Sequence, residues 1–87
     1  MKLKLDFVLR KIAGDLLLVP TGKTALDLNG MLMLNEAGAY LWQKLPESPD
    51  EAALVDAFMA EYEVTPAVAQ QDVSEFLAQL RALGIVD

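Results

Sequence analysis

The periodicity of the chain changes from strand-like to helical at one point, Leu34-Asn35-Glu36. The apolar residues 31–33 before this point are typical of a strand. They follow Asn29-Gly30, a pair that favours a tight turn because both residues tolerate positive φ. Asn35 is a typical helix N-cap, and the acidic Glu36 suits the first turn of a helix. A strand that runs directly into a helix predicts an α+β fold.

Three short segments are typical of strands: residues 7–12, 16–19 and 31–34. Ala13-Gly14-Asp15 separates the first from the second, and Pro20 ends the second. We expect these segments to form an antiparallel sheet. Residues 24–28 alternate polar and apolar side chains, so an extra short strand is expected there if Asn29-Gly30 turns the chain back.

The second half of the chain carries the signals of three helices. The first is predicted over residues 36–44 and stops before Pro46. Ser48-Pro49-Asp50-Glu51 has the pattern of a capping box, with Ser48 as the N-cap and Pro49 at the first helical position. The second helix then extends through residues 54–62, whose apolar side chains fall on one stripe.

Thr65-Pro66 repeats this combination of a cap and a proline, and a third helix is predicted to run to about Leu83. Gly84 is placed to close it in the left-handed conformation, and Ile85-Val86 are expected to fold back onto the core. Two helices joined by a short link resemble a helix-turn-helix pair. The whole chain, residues 1–87, is therefore predicted to be one winged helix-turn-helix-like α+β domain.

The composition excludes several classes of chemistry. The 87 residues include no Cys and no His, which removes disulfides, thiolate metal sites, and the commonest metal ligand and general base. We therefore expect no cofactor, no metal and no enzyme activity. No apolar run approaches the roughly 18 residues of a membrane span, and the N-terminus lacks the pattern of a secretory signal. A cytoplasmic location is expected.

The charge is divided unevenly along the chain. Residues 1–24 carry five basic and two acidic side chains, whereas residues 25–87 carry two basic and eleven acidic ones. The resulting net charge of −9 in the second part repels nucleic acid and attracts a basic partner. A plainer interpretation also stands, in which these acids only keep the helix surfaces solvated.

Several short motifs follow one another in a fixed order: Val8-Leu9-Arg10, Leu16-Leu17-Leu18-Val19, Leu34-Asn35-Glu36, Leu41-Trp42, Asp72-Val73, Phe76-Leu77 and Leu83-Gly84-Ile85-Val86. In this order and spacing they resemble the PqqD-like family. The resemblance implies a recognition element for ribosomally synthesised, post-translationally modified peptides (RiPPs), a peptide chaperone of pyrroloquinoline-quinone-type and related biosynthesis. Such a domain does no chemistry. It presents a precursor peptide to a modifying enzyme in trans, frequently a radical S-adenosylmethionine (SAM) enzyme.

The resemblance also implies where the peptide binds. In the family, the leader peptide adds as a strand to the exposed edge of the third strand and lies beside the third helix. Carried onto this chain, the edge comprises Met31, Leu32, Met33 and Leu34, and the facing helix offers Val68, Asp72, Glu75, Phe76 and Gln79. If Leu34 faces inward, strand alternation places Leu32 beside it and the two methionines on the opposite face.

Two interpretations stay open for several of these residues. Asp72 and Glu75 would meet a basic residue of the leader, or they form an ordinary solvated helix face. For Leu32, Leu34 and Phe76, core packing is the favoured interpretation. For Met31 and Met33, ordinary sheet packing and peptide recognition stay equally open. Residues 20–30 are longer than the connection in many family members, and an extra hairpin there would cover part of the edge.

Two other functions fit parts of the sequence. An exposed strand edge and a methionine-bearing sheet would also pair with a second copy, which describes a homodimerising scaffold or adaptor. A winged-helix DNA-binding protein needs basic side chains on its recognition helix. The third helix has Arg81 as its only basic residue, beside Asp72 and Glu75, so DNA binding is disfavoured.

Overall fold

The structure is a computed structural model that describes residues 1–23 and 31–86. Three strands come first: β1 (Phe7–Ile12), β2 (Asp15–Pro20) and β3 (Leu32–Leu34). They are followed by α1 (Glu36–Lys44), a 3-10 helix (Leu45–Glu47), α2 (Glu51–Glu61) and α3 (Pro66–Ala82). The predicted α+β fold, an antiparallel sheet followed by three helices, is confirmed. The predicted strand at residues 24–28 and the Asn29-Gly30 turn lie outside the described residues.

The three strands form one antiparallel sheet in the order β1-β2-β3, which places β3 at an edge. A two-residue turn joins β1 to β2 at Ala13 and Gly14, whose φ angles are 53° and 87°. Positive φ at both turn residues matches the right-handed twist of the strands. Gly14 adopts this conformation freely, whereas the side chain of Ala13 makes it cost about 1–2 kcal/mol.

One face of the sheet packs against the helices. Leu18 and Leu34 are buried on this face, where Leu16 pairs with Leu34 and Leu18 pairs with Leu32. The core continues into the helices through fully buried side chains: Leu41, Leu45, Leu54, Val73, Leu77 and Leu80. This packing fixes the position of β3 relative to α1.

Both ends of α1 are as predicted, at Glu36 and at Lys44. At its start, Asn35 Oδ1 accepts the N–H of Gly38 at 2.8 Å. The α-helix ends before Pro46, and the chain then continues directly into the 3-10 helix Leu45–Glu47, which the sequence did not predict. Pro46 lies near the start of that helix, where a backbone N–H has no helical acceptor, so the proline is tolerated.

The predicted N-cap of the second helix is wrong. Ser48 ends the 3-10 helix, and its Oγ donates to the carbonyl of Lys44 at 2.8 Å. The N-cap of α2 is Asp50, whose Oδ1 accepts the N–H of Ala53 at 2.9 Å. Ser48 lies two residues before this N-cap and is therefore outside the first turn of α2. The first helical residue is therefore Glu51 and not the predicted proline.

The third helix follows its predicted signals. Thr65 Oγ1 accepts the N–H of Val68 at 3.3 Å, and Pro66 occupies the first helical position. Gly84 closes the helix with a φ of 74°, and Ile85-Val86 are buried behind it. In the part of the chain that the structure describes, no helix is both long and apolar enough to cross a membrane.

The first six residues cover one side of the core, although the sequence predicts no element for them. The side chains of Met1, Leu3 and Leu5 pack against the core and alternate with exposed polar residues. The N–H of Lys4 donates to the carbonyl of Ile85 at 2.7 Å. A backbone hydrogen bond therefore joins this segment to the residues that follow α3. The alternation of apolar and polar residues in the segment is the sequence pattern that indicates its packing against the core.

Candidate functional site

The hydrogen-bond ladder of the sheet determines which way each strand residue turns its backbone groups. Thr21 donates its N–H to the carbonyl of Asp6 at 2.9 Å, one step beyond the Phe7–Pro20 pair. Bonded and non-bonded pairs alternate along an antiparallel ladder, so Phe7 and Pro20 exchange no bond, as the missing proline N–H also requires. The third pair after Phe7–Pro20 is Arg10–Leu17, which is a bonded pair by this alternation. Leu17 therefore directs its N–H and C=O towards β1.

Met33 therefore turns its backbone groups away from the sheet. It pairs with Leu17, whose N–H and C=O already face β1, so this pair exchanges no hydrogen bond. The flanking pairs, Leu16–Leu34 and Leu18–Leu32, are the ones that hold β3 against β2. In the described part of the chain no strand lies on the other side of β3, and the N–H and C=O of Met33 point to that edge.

The side chains of the third-strand segment alternate as predicted. Leu34 is buried and Leu32 is half-buried against the core. Met31 and Met33 are 61% and 65% exposed on the opposite face. The edge thus combines anchored leucines with exposed methionines, whose unbranched side chains adapt to different neighbours.

A groove of about 230 Å³ separates β3 and the start of α1 from α3. Six of the nine predicted site residues line it: Met33, Leu34, Asp72, Glu75, Phe76 and Gln79. The structure does not bring the other three to the groove. Val68 is exposed in the first turn of α3, Leu32 packs towards the core, and Met31 precedes β3.

The α3 wall of the groove has a buried centre and a polar rim. Asp72, Glu75, Phe76 and Gln79 follow the spacing i, i+3, i+4 and i+7, which places them on one helix face. Phe76 is buried among core residues, whereas the two acids and Gln79 are exposed. Glu75 Oε1 accepts a hydrogen bond from Gln71 Nε2 at 3.3 Å.

A family model described as Coenzyme PQQ synthesis protein D (PqqD) matches residues 17–86, a range that contains both walls of the groove. The chain belongs to the PqqD family. The family resemblance drawn from the sequence motifs is therefore confirmed. A comparison with curated proteins gave no significant match.

The fold of this PqqD-family chain also matches a solved structure, "TbiB1 in Complex with the TbiA(beta) Leader Peptide". The match covers 100% of this chain and 95% of that chain, with a TM-score of 0.73 and 24% sequence identity. A likeness of this extent at this identity establishes that the two chains share a fold.

The sequence analysis did not predict that α1 and its N-cap contribute side chains to the groove. Asn35, Ala37, Gly38 and Leu41 line it together with the predicted residues. Gly38 was the available signal, because a glycine inside a short helix costs roughly 0.5–1 kcal/mol relative to alanine and usually has a packing reason. A Cβ at this position would lie 3.3 Å from Asn35 Oδ1 and 3.4 Å from Leu34 Cδ2, both of them groove side chains.

The lining of the groove suits non-covalent binding. It offers apolar side chains, two carboxylates and two amides, and it contains no hydroxyl, thiol or imidazole group that would act as a nucleophile or base. Within residues 1–23 and 31–86, no three acidic side chains come together in a way that would hold a metal ion. The groove and the adjacent edge can instead accommodate an extended chain.

Proposed function

We propose that this PqqD-family chain binds the leader segment of a ribosomally synthesised precursor peptide and presents it to a modifying enzyme. The leader adds as a strand to β3 and lies in the groove beside α3. The observation that carries the proposal is the orientation of Met33, whose N–H and C=O face the edge at the rim of the groove. Strand addition requires unpaired main-chain groups of this kind next to side-chain pockets.

The comparisons support the same function. TbiB1, which shares the fold, is in a complex with a leader peptide. Membership of the PqqD family links the chain by name to the synthesis of coenzyme PQQ. Both findings also support the prediction that the chain is not an enzyme, because the function they indicate is recognition.

The energetics require the edge and the groove to act together. Met33 supplies two main-chain hydrogen bonds, each worth about 1 kcal/mol net. A dissociation constant of about 1 μM needs roughly 8 kcal/mol. The remaining free energy has to come from side chains buried in the groove, at about 25 cal/mol for each Å² of apolar surface. Specificity then depends on the groove, since main-chain hydrogen bonds form with a peptide of almost any sequence.

In this proposal, a separate radical SAM enzyme acts in trans and carries out the modification of the precursor. In this scheme the domain itself needs no cofactor, and its task is to raise the local concentration of the precursor at the enzyme. The encounter takes place in the cytoplasm, where ribosomal precursors are made.

A ¹⁵N–¹H NMR titration with leader peptides encoded beside the gene tests this proposal. We expect the signals of residues 32–34 and 72–79 to shift, while those of α2 remote from the groove stay in place. Shifts spread over α2 alone, or no shift with any candidate peptide in a folded sample, would overturn peptide recognition at this site.

A homodimer formed through β3 is the second candidate, because the same edge and the exposed methionines Met31 and Met33 would pair with a second copy. Sedimentation with and without leader peptide separates the two functions. A dimer that dissociates when peptide is added indicates recognition, with one surface serving both states. A dimer that is indifferent to peptide indicates a scaffold.

The structure gives no support to a DNA-binding role. The exposed groove between α2 and α3 is lined by Glu51 and Asp56, and no basic side chain is among the described residues of its lining. Arg81, the one basic residue of α3, lies 4.0 Å from Glu51. Phosphates would face net negative charge there.

A further inference from the structure

The groove joins an apolar floor to an acidic rim. Leu34, Leu41 and Phe76 are buried and form the floor, while Asp72 and Glu75 stand exposed at its border on α3. A ligand side chain that fills the groove is therefore surrounded by hydrocarbon below and carboxylates above. Such a site discriminates by both size and charge.

The groove has room for one large side chain. Its volume is about 230 Å³. A cavity of about 150 Å³ is enough to hold a benzene ring, so this groove has room for one aromatic or long aliphatic side chain. Gly38 keeps that space open, because a methyl group there would press on Leu34 and Asn35.

The charged side chains among the described residues that line the groove are all acidic. Its lining includes two carboxylates and no basic side chain. Two basic groups of the helical part are engaged elsewhere, Lys44 with Glu47 at 3.6 Å and Arg81 with Glu51 at 4.0 Å. The rim thus attracts a cation supplied by the ligand.

The spacing of the two features matches an extended peptide. Asp72 and Phe76 are four residues apart on α3, which is about 6 Å along the helix. Side chains on one face of a strand recur every two residues, or about 6.7 Å. In an added strand that runs alongside α3, one groove-facing side chain would therefore lie near Phe76 while the next lies near Asp72.

We propose that the groove selects leader segments in which a large apolar residue and a Lys or Arg lie two positions apart. This inference rests on the proposed strand addition and names the peptide class that the same site takes. The apolar side chain lies over Phe76 and Leu41, and the cation lies beside Asp72 and Glu75.

Charge reversal tests the pairing directly. The probes are overlapping synthetic peptides that cover the precursors encoded beside the gene, with each basic residue of the best binder changed in turn to Glu. We expect one such change to weaken binding about tenfold or more at low salt and less at high salt. Asp72→Lys should then bind the Glu peptide more tightly than the original one. Asp56→Lys, the same charge change at an exposed α2 position away from the groove, should leave that preference unaltered.

The outcomes separate this inference from the function on which it rests. One outcome would overturn the charge rule alone. In it, peptides bind and shift the NMR signals of residues 32–34, but neither replacement of their basic residues nor Asp72→Lys changes their affinity. The same holds if Asp56→Lys reverses the preference as strongly, since the effect would then be one of net charge. Failure of every peptide to bind would overturn both.

Discussion

Leu17 and Met33 face each other across β2 and β3 without exchanging backbone hydrogen bonds. This pairing leaves the N–H and C=O of Met33 on the edge of the sheet, while its neighbours Leu32 and Leu34 hold the strand in place. Alternate residues thus attach β3 to β2, and the residue between them leaves its main-chain groups at the edge for the proposed peptide.

Met33→Pro should abolish peptide binding and leave the fold intact. Proline removes the outward N–H, and β3 keeps its bonds to β2 because those belong to the flanking residues. Isothermal titration and circular dichroism measure the two properties. Met33→Ala, which retains the N–H, is the matched control and should still bind. Equal affinities for the proline variant and the unmodified protein would contradict the strand-addition model.

Gly38→Ala should weaken peptide binding with little change in stability. The helix gains roughly 0.5–1 kcal/mol from alanine, and this gain offsets the crowding of Asn35 Oδ1 at 3.3 Å. The displaced side chains of Asn35 and Leu34 then narrow the groove. Urea denaturation and titration calorimetry report the two effects. Unaltered affinity would show that the floor of the groove is not in contact with the peptide.

Trp42→Ala should destabilise the protein by about 3–5 kcal/mol, as expected for a large core side chain. Trp42 is only 9% exposed and belongs to the central cluster. Gln43→Ala changes the exposed neighbour in the same helix and should alter the free energy of unfolding by less than about 0.5 kcal/mol. A loss below about 1 kcal/mol for the Trp42 variant would contradict its placement in the core.

Asp50→Ala should lower stability by about 1 kcal/mol through loss of the α2 cap. Asp50→Asn keeps an oxygen for the N–H of Ala53 and should cost much less. Chemical denaturation of the two variants distinguishes the cap from a general effect of the charge. Equal losses in both variants would point to the charge and away from the hydrogen bond.

Helix ends that depend on local chemistry could be predicted from the sequence. Asn35, Thr65 and Gly84 each act within a few residues of their own position, and each was assigned correctly. The Ser48 assignment failed because Ser48 ends a 3-10 helix that the sequence alone did not reveal, and α2 begins only after Asp50.

The groove likewise has one part that could be predicted from the sequence and one part that could not. The α3 wall could be predicted because Asp72, Phe76 and Gln79 share one helical face. The contribution of Gly38 and Leu41 depends on how closely α1 approaches α3, which is a tertiary distance without a local signature. Val68 shares the polar side of α3 but lies too near its start to reach the groove.

The groove has a thermodynamic consequence because its walls come from distant parts of the chain, residues 33–41 and 72–79. No locally folded fragment contains both walls, so a ligand of the groove binds the native state only. By mass action, such a ligand raises the free energy of unfolding by about 2.7 kcal/mol at a concentration one hundred times its dissociation constant. The melting temperature therefore serves as a label-free sensor of occupancy, and peptides can be ranked by heating the domain with each in turn.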